Sequence, residues 1–259
     1  AIIFFLLIVY IRNETVDYEN KIINTLKNLE EKKDYILDSL TYAANIQKTI
    51  VGNKEEVLNK FKDGFIILKP KDIVCGDFYW FCEVNGQKII AAGDCTGHGV
   101  PAAFMTIMGN DFLNDIVIKE NITSPDKILI ELDKRIINKL SSNEGGERQD
   151  GMDISILVIN DKTKTMKFAG AKSTIFKVND NELITVKGSH FPIGSTQYKE
   201  TKEYELHNIK FNSGEKIYLF SDGYQDQFGG EKGKKFLTKR FRNLIHEISN
   251  EAMFNQKQR

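Results

Sequence analysis

Hydrophobic and polar positions follow three different patterns along this chain. Residues 1–11 are apolar without a break, and from Ile22 to Ile50 apolar residues recur at alternating spacings of four and three. After Gly64, short runs rich in β-branched and aromatic residues alternate with turn signals. These patterns predict an apolar segment, a helical linker and a globular domain, which we place at residues 1–12, 13–51 and 60–259.

The four-three spacing predicts a coiled-coil linker. Its seam is apolar except at Lys33 and Gln47, and its positions are Ile22, Leu26, Leu29, Lys33, Ile36, Leu40, Ala43, Gln47 and Ile50. A seam kept over about four heptads is typical of a left-handed coiled coil, so we predict a parallel homodimer. The alternative is a single amphipathic helix packed on its own domain, which the small residues near Ala43 favour.

The apolar start is too short to cross a bilayer. Eleven helical residues rise about 16 Å, whereas the hydrocarbon layer is roughly 30 Å thick. Without the features of a signal peptide, the segment is interpreted as the end of a transmembrane helix, with a buried terminal strand or helix as the alternative. Arg12, Lys21 and Lys27 follow it. By the positive-inside bias, we expect a tether in the inner (cytoplasmic) membrane and a cytoplasmic domain.

The domain pattern predicts an α+β fold built on antiparallel strands. Strands are expected at residues 65–68, 78–84, 88–92, 154–159, 165–168, 174–178, 183–186, 204–209 and 216–220. Asn85-Gly86 predicts a hairpin turn, and residues 141–150 are polar and loop-like. Helices are expected at residues 101–118, from Ser124 to about Leu140, and at residues 237–248. Strands, two helices, more strands and a last helix indicate helices layered on antiparallel sheets.

Charge and cysteine content narrow the function classes. Lys+Arg and Asp+Glu number 36 each, so no bulk positive charge favours a nucleic-acid partner. The three cysteines, Cys75, Cys82 and Cys95, are an odd number in a chain of 259 residues. A chain of this size needs no disulfide framework, so we expect reduced thiols and a cytoplasmic compartment.

Two apolar runs end in an aspartate beside a glycine. They are residues 89–94, which end at Asp94, and residues 217–223, which contain Asp222, while Asp77 follows Gly76 further upstream. Mg²⁺ and Mn²⁺ prefer oxygen ligands and keep several waters, so a few carboxylates converging from different strands can bind them. Aspartate beside glycine is also a common turn pair. The pattern therefore indicates a metal site without excluding simple turns.

Longer strings carry a resemblance to a known family. They are GDFYW at residues 76–80, AAGDCTGHGVPAAFM at 91–105, GMDIS at 151–155, FAGA at 168–171, PIG at 192–194 and SDGYQDQFGG at 221–230. Together they resemble the SpoIIE-type bacterial branch of the metal-dependent type 2C protein serine/threonine phosphatases. The resemblance implies an antiparallel β-sandwich flanked by helices (αββα), here preceded by a coiled-coil helix. It also implies two Mn²⁺ or Mg²⁺ ions and a metal-activated water that attacks phosphoserine or phosphothreonine.

The same resemblance implies roles for individual residues. Asp94 matches the aspartate that bridges both metals, and Asp222 matches a later metal ligand, so these two are the expected catalytic residues. Cys95 follows Asp94 and would contribute its backbone carbonyl. Asp77 matches an acidic residue that reaches a metal through water, and Asp153 a position near an additional metal in some relatives.

Two features bear on activity. His98, in the glycine-rich string 96–99, either acts in catalysis or only shapes the loop. The family usually closes with a further strand bearing an Asp-Asp pair, whereas residues 227–259 offer only Glu231, Glu247 and Glu251 as acidic residues. We therefore expect a C-terminally truncated domain that binds its second metal weakly.

The function expected from these observations is a metal-dependent phosphoprotein phosphatase. Its activity would be set by an upstream sensor region, and family resemblance suggests a small anti-sigma-factor antagonist as its substrate. The alternative is a catalytically inactive phosphatase-like module that relays signals through binding.

Overall fold

The computed structural model contains a long N-terminal helix followed by a domain of strands and helices. The structure describes residues 2–140, 151–179, 182–198, 201–231 and 233–259. The chain divides into two compact units, Ala1–Ile46 and Gln47–Arg259. The predicted polar loop at residues 141–150 lies outside the described residues.

Helix α1 (Ile2–Val51) confirms that the linker is helical. Seam side chains such as Leu26, Leu29 and Ile36 are more than half exposed. The parallel homodimer in which a second chain would cover these side chains therefore stays a prediction. In the part of the chain that the structure describes, no helix is both long and apolar enough to cross a membrane.

Gln47 corrects one position of the predicted coiled-coil seam. Its side chain is buried and hydrogen-bonds the backbone of Cys75. Val51, four residues later, packs against the core of the domain. The last turns of α1 therefore follow the alternative expectation of a helix packed on its own domain. A side chain committed to Cys75 cannot also serve a seam with a second helix.

The elements of the domain follow the predicted order. They are α2 (Lys54–Leu58), β1 (Asp77–Val84), β2 (Gln87–Cys95), α3 (Val100–Leu113) with a π-helical continuation (Asn114–Lys119), α4 (Pro125–Leu140), β3 (Met152–Asn160), β4 (Thr165–Ala171), β5 (Thr174–Asn179), β6 (Glu182–Lys187), β7 (His207–Lys210), β8 (Lys216–Leu219), β9 (Phe228–Gly229), β10 (Lys234–Lys235), α5 (Leu237–Ile248) and α6 (Met253–Gln258). The turn between β1 and β2 has φ values of 53° at Asn85 and 71° at Gly86. Both are positive, as the predicted two-residue hairpin turn requires.

The described strands form two packed antiparallel sheets and a small β9–β10 ribbon. One sheet has the order β1-β2-β3-β4-β7 and the other β6-β5-β8. A core of residues from β3, β4 and β5 lies between the sheets, with Leu157, Phe168 and Ile175 among its members. Alternation along each strand sends every second side chain to the opposite face of its sheet.

Helices cover the outer face of each sheet. Ile154 and Ile156 of β3 share a core with Leu129 and Leu132 of α4. On the other sheet, Phe176 packs with residues of α5, including Phe241 and Ile245. The layers run helix, sheet, sheet, helix, which confirms the expected αββα architecture.

Two strand predictions were wrong. Residues 65–68 form no strand, because β1 lies at the edge of its sheet and pairs with β2 alone among the described strands. The last strand of that sheet begins at His207, not at Tyr204. Tyr204 instead buries its ring in the helix-side core. Short apolar runs have no period that separates a strand from extended, packed coil.

Candidate metal centre between the two sheets

Strand register places three aspartates side by side at one end of the larger sheet. Asp77 of β1 lies opposite Asp94 of β2, and Asp94 lies opposite Asp153 of β3. Directly opposed antiparallel residues have Cα atoms about 4.5–5.5 Å apart and point to the same face. Their neighbours Phe78 and Ile154 belong to the helix-side core, so the three carboxylates face the second sheet.

Asp222 joins this row from the second sheet. It lies three residues after the end of β8, in the predicted string SDG. The Asp94 carboxyl lies within hydrogen-bond reach of both Asp77 and Asp222. Next to Asp222, Ser221 donates from its Oγ to Oδ2 of Asp77 at 3.2 Å. The two sheets thus bring Asp77, Asp94 and Asp222 into one carboxylate cluster.

The electrostatics of this carboxylate cluster favour a cation. Burial and, after it, the neighbouring charges of Asp77 and Asp222 together raise the pKa of Asp94 to about 8. Burial also raises the pKa of Asp77, against the hydrogen bond from Ser221. Like charges in a partly buried site disfavour ionisation. A divalent cation would offset that repulsion and let the carboxylates ionise.

Oxygen donors of this kind fit Mg²⁺ or Mn²⁺. Within the described ranges, no three His, Cys, Asp or Glu side chains stand ready to hold a metal ion. Here the three carboxyl groups satisfy one another, with Asp94 in the middle. The donor chemistry therefore fits a divalent cation.

Asp153 has a different environment from the carboxylate cluster. Its Oδ2 forms an ion pair with Nζ of Lys172 at 3.2 Å, while its Oδ1 is buried without a hydrogen-bond partner in the described structure. Burial raises the pKa of Asp153, and Lys172 opposes that rise. Lys172 sits in the tight turn between β4 and β5 with a φ of 49°. A lysine ammonium thus lies next to the position expected to approach an additional metal.

The Cys95 thiol points away from the carboxylate cluster. The residue is 2% exposed, and its Sγ lies 3.7 Å from Oγ1 of Thr106 in α3. Burial raises the pKa of the thiol to about 12, so it stays protonated at neutral pH. Its backbone N–H donates to the carbonyl of Gly76 at 3.2 Å. The metal contact expected of its carbonyl stays a prediction.

The glycine-rich loop after Asp94 is fixed by Thr96, which sequence reasoning did not single out. Thr96 Oγ1 accepts from the N–H of Gly151 at 2.6 Å and donates to its carbonyl at 3.0 Å. This ties the end of β2 to the start of β3, the strand that carries Asp153. His98 is exposed, and its Nδ1 lies 3.3 Å from Asp72, outside the carboxylate cluster. The loop-shaping alternative for His98 is the one its position fits.

An open pocket of about 460 Å³ lies beside the aspartates. Its lining includes Asp94, Asp153 and Asp222. The remaining lining includes three basic side chains and several hydroxyl and amide groups, namely Lys172, Lys187, Arg242, Ser173, Thr174, Thr185, Thr238, Ser221 and Gln225. Sequence reasoning missed Lys172, since only folding brings the β4–β5 turn to this pocket. The acidic side chains of the pocket can bind cations, and its basic side chains can bind an anion. The pocket therefore suits an anionic ligand that binds together with metal cations.

Comparison with known proteins assigns the family. The family model for stage II sporulation protein E (SpoIIE) matches residues 85–256, more than half of the chain. The chain belongs to the SpoIIE family. No curated protein matches it. The assignment confirms the SpoIIE-type resemblance seen in the sequence strings, and the matched region contains Asp94, Asp153 and Asp222.

Solved structures agree with this SpoIIE assignment. The SiaA-PP2C domain of Pseudomonas aeruginosa is 29% identical, with a TM-score of 0.77 and 87% of each chain covered. The RsbU and RsbW domains of Rv1364c from Mycobacterium tuberculosis are 18% identical with a TM-score of 0.56, covering 73% of this chain and 50% of that one. The phosphatase domain of SpoIIE from Bacillus subtilis, with a regulatory fragment, is 19% identical with a TM-score of 0.52, covering 71% and 54%. The domain is therefore a SpoIIE-type PP2C phosphatase domain by family and fold.

Proposed function

We propose that this chain is a metal-dependent protein phosphatase that hydrolyses phosphoserine or phosphothreonine on a signalling protein. The observation that carries the proposal is the meeting of Asp77, Asp94 and Asp222 from three separate segments of a SpoIIE-family domain. Three carboxyl groups brought together around Asp94, two of them partly buried, cost folding free energy. A cation-dependent activity gives that arrangement a purpose.

The cofactors we propose are two Mn²⁺ or Mg²⁺ ions. When bound, they would activate the attacking water and offset charge on the transferring phosphoryl group. Asp94, between the other two carboxyls, and Asp222, from the second sheet, would hold these ions. Ser221 orients Asp77 through its 3.2 Å hydrogen bond.

The protein supplies no covalent nucleophile in this scheme. The thiol of Cys95, next to Asp94 in sequence, is buried, and its pKa of about 12 keeps it from forming a thiolate at neutral pH. Ser221 Oγ is committed to Asp77. Direct attack by water is the reaction that these residues leave open.

The basic groups of the pocket suit a phosphorylated protein. Lys172, Lys187 and Arg242 line it together with the aspartates and can pair with phosphoryl oxygens or acidic side chains of the substrate. The substrate class that we propose, from the family resemblance, is a small anti-sigma-factor antagonist. Nucleic acid is not a proposed partner because the chain carries no net charge.

We further propose that α1 forms a parallel homodimer and continues an N-terminal membrane tether, with the phosphatase domain in the cytoplasm. The dimer is supported by Leu26, Leu29 and Ile36, which are 59%, 58% and 56% exposed on one helix. The tether is supported by the uninterrupted apolar residues 1–11. An upstream sensor would act on the domain through this helix.

Phosphate release from a phosphoserine protein tests the proposed activity. We expect release that needs Mn²⁺ or Mg²⁺, stops on chelation, and is lost in Asp222→Asn. The matched control is Asp226→Asn, since Asp226 lies four residues later and pairs with Lys235 on the surface at 2.8 Å. A chain that folds but releases no phosphate at any concentration of either metal would support the inactive signalling module instead.

A further inference from the structure

Gln47 makes a two-point contact with the backbone that leads into the carboxylate cluster. It lies near the C-terminal end of α1, and it is 5% exposed, whereas the other described side chains of that helix are at least partly exposed. Its Nε2 donates to the carbonyl of Cys75 at 2.6 Å, and its Oε1 accepts from the N–H of Cys75 at 2.9 Å. One amide side chain therefore satisfies both backbone groups of one residue, 28 positions away.

An amide is the side chain type that this contact requires. Glutamine offers a donor and an acceptor on one planar group, whereas a carboxylate only accepts and an ammonium only donates. A glutamate here would place a negative oxygen against the carbonyl of Cys75. A residue of similar length without polar atoms would leave a buried N–H and a buried carbonyl without this partner.

Two further elements hold the same backbone segment. Thr106 of α3 lies with its Oγ1 3.1 Å from the carbonyl of Cys75 and 2.9 Å from that of Gly76. The carbonyl of Gly76 also accepts from the N–H of Cys95, the residue after Asp94. Cys75 and Gly76 are thus held from α1, α3 and β2, and the next residue is Asp77.

The position of Asp77 depends on this held segment. Asp77 is the first residue of β1, and it has no preceding strand residue to fix its backbone. Its carboxyl nevertheless meets Asp94 and accepts from Ser221. A cluster of three carboxyls tolerates little displacement of any member, because ligand distances to Mg²⁺ or Mn²⁺ are short.

We propose that Gln47 is a positioning residue for the metal centre, acting through the backbone of Cys75 to set the place of Asp77. This inference rests on the proposed function. The end of the linker helix is thereby part of the support of the metal centre, and its amide takes the role that partners of ligating side chains have in metal sites generally.

The test compares Gln47→Met with Tyr79→Phe in the full chain. Methionine keeps the length of the side chain but loses both hydrogen bonds. Tyr79 is a matched control, because its hydroxyl donates to the carbonyl of Gly52 at 2.8 Å and also ties β1 to the segment after α1, but at an exposed position. Mn²⁺ affinity is measured by electron paramagnetic resonance of the free ion, together with kcat and KM for a phosphoprotein.

We expect Gln47→Met to bind Mn²⁺ about tenfold more weakly, the scale seen when partners of metal ligands are removed. Its phosphatase rate should recover as Mn²⁺ is raised, with KM for the phosphoprotein unchanged. Tyr79→Phe should stay within twofold of the parent in every measurement. A folded Gln47→Met variant with parental Mn²⁺ affinity would overturn the proposal.

Two provisions keep the result decisive. If Gln47→Met does not fold, Gln47→Asn is used instead. Asparagine keeps an amide but is one methylene too short to reach both backbone groups of Cys75. Parental Mn²⁺ affinity in Gln47→Asn would overturn the proposal. If the parent itself binds no Mn²⁺, the proposed function fails, and Gln47 is judged by hydrogen exchange at the amide of Cys95, which donates to the carbonyl of Gly76. Faster exchange in Gln47→Met then supports the positioning role, and unchanged exchange refutes it.

Discussion

Replacing Asp94 with asparagine should make the metal-free protein more stable and remove its activity. Asp94 lies between Asp77 and Asp222, and its pKa of about 8 shows that its ionised form is disfavoured in the fold. Asparagine has nearly the same shape and cannot ionise. The substitution therefore removes the charge repulsion at the centre of the carboxylate cluster and leaves the packing of β2 in place.

The sign of the effect follows from proton linkage. The pKa of Asp94 is about 8 in the folded state, against about 3.9 for an aspartate in an unfolded chain. Between these two pH values the folded protein holds a proton that the unfolded chain has released. The free energy of unfolding of the parent should therefore fall as pH rises from about 4 to 8.

The expected gain in the free energy of unfolding is smaller than the full pKa shift implies, because solvent screens the charges. At pH 7 the full shift corresponds to about 4 kcal/mol, at 1.36 kcal/mol for each pH unit above the unfolded pKa. Asp94 is partly exposed and coupled to two other carboxyls, so screening lowers this to about 2 kcal/mol. For a domain of roughly 200 residues, that is a rise in Tm of about 4–8 °C.

Thermal unfolding of metal-free protein from pH 4 to 8 measures this prediction. We expect the parent to lose stability across the range and Asp94→Asn to lose much less. With Mn²⁺ added, the parent should gain stability and Asp94→Asn should not, because the bridging ligand is missing. Asp226→Asn, which removes a carboxyl from the surface pair with Lys235, controls for the change in net charge.

Three results would refute this reasoning. A metal-free Asp94→Asn protein no more stable than Asp226→Asn at pH 7 would show that the carboxylate cluster carries no repulsion. If Mn²⁺ stabilised the parent and Asp94→Asn equally, Asp94 would not be a ligand in the metal site. More than about a tenth of the parental phosphatase rate at saturating Mn²⁺ would contradict its catalytic role, since losing a bridging ligand should raise the barrier by several kcal/mol.

Two further predictions concern the helix and the sheet. In the full chain, Lys33→Leu should tighten dimerisation, because it replaces a polar seam residue with an apolar one. Lys32→Leu, one position off the seam, is the control and should leave dimerisation unchanged. Sedimentation velocity compares the two variants, and equal behaviour would favour an unpaired helix. Gly151→Ala should lower the free energy of unfolding by more than about 2 kcal/mol, because a Cβ there would lie 2.0 Å from the carbonyl oxygen of Ile193. Gly229→Ala, where nothing lies within 4 Å, is the control, and equal melting temperatures would contradict the contact.

Elements with strong local signals could be predicted from the sequence. The helix from Pro125 to Leu140 has a proline at its start and a clear apolar stripe, and α5 matches the predicted residues 237–248. The hairpin at Asn85-Gly86 follows from backbone preferences of two residues. Residues 65–68 misled because strand formation needs a neighbouring strand, and an apolar run alone cannot show whether one is present.

The family and the aspartates were also contained in the sequence. The strings around Asp94 and Asp222 carry the resemblance to the SpoIIE type, because a contiguous string can be recognised without knowledge of the fold. The sequence could not show that Asp94 would stand between Asp77 and Asp222. That depends on the register of β1 on β2 and on the packing of one sheet against the other.

Gln47 marks the boundary between the two kinds of information. In sequence it occupies a heptad seam position, and the four-three spacing predicts that such a residue faces a second helix. In the fold its amide turns to the backbone of Cys75, 28 residues away. Local periodicity predicted a helix over residues 22–50, and α1 contains this range. Which surface the last turns of that helix would cover was decided by tertiary packing, because a buried backbone segment needs hydrogen-bond partners that its own neighbours in sequence do not provide.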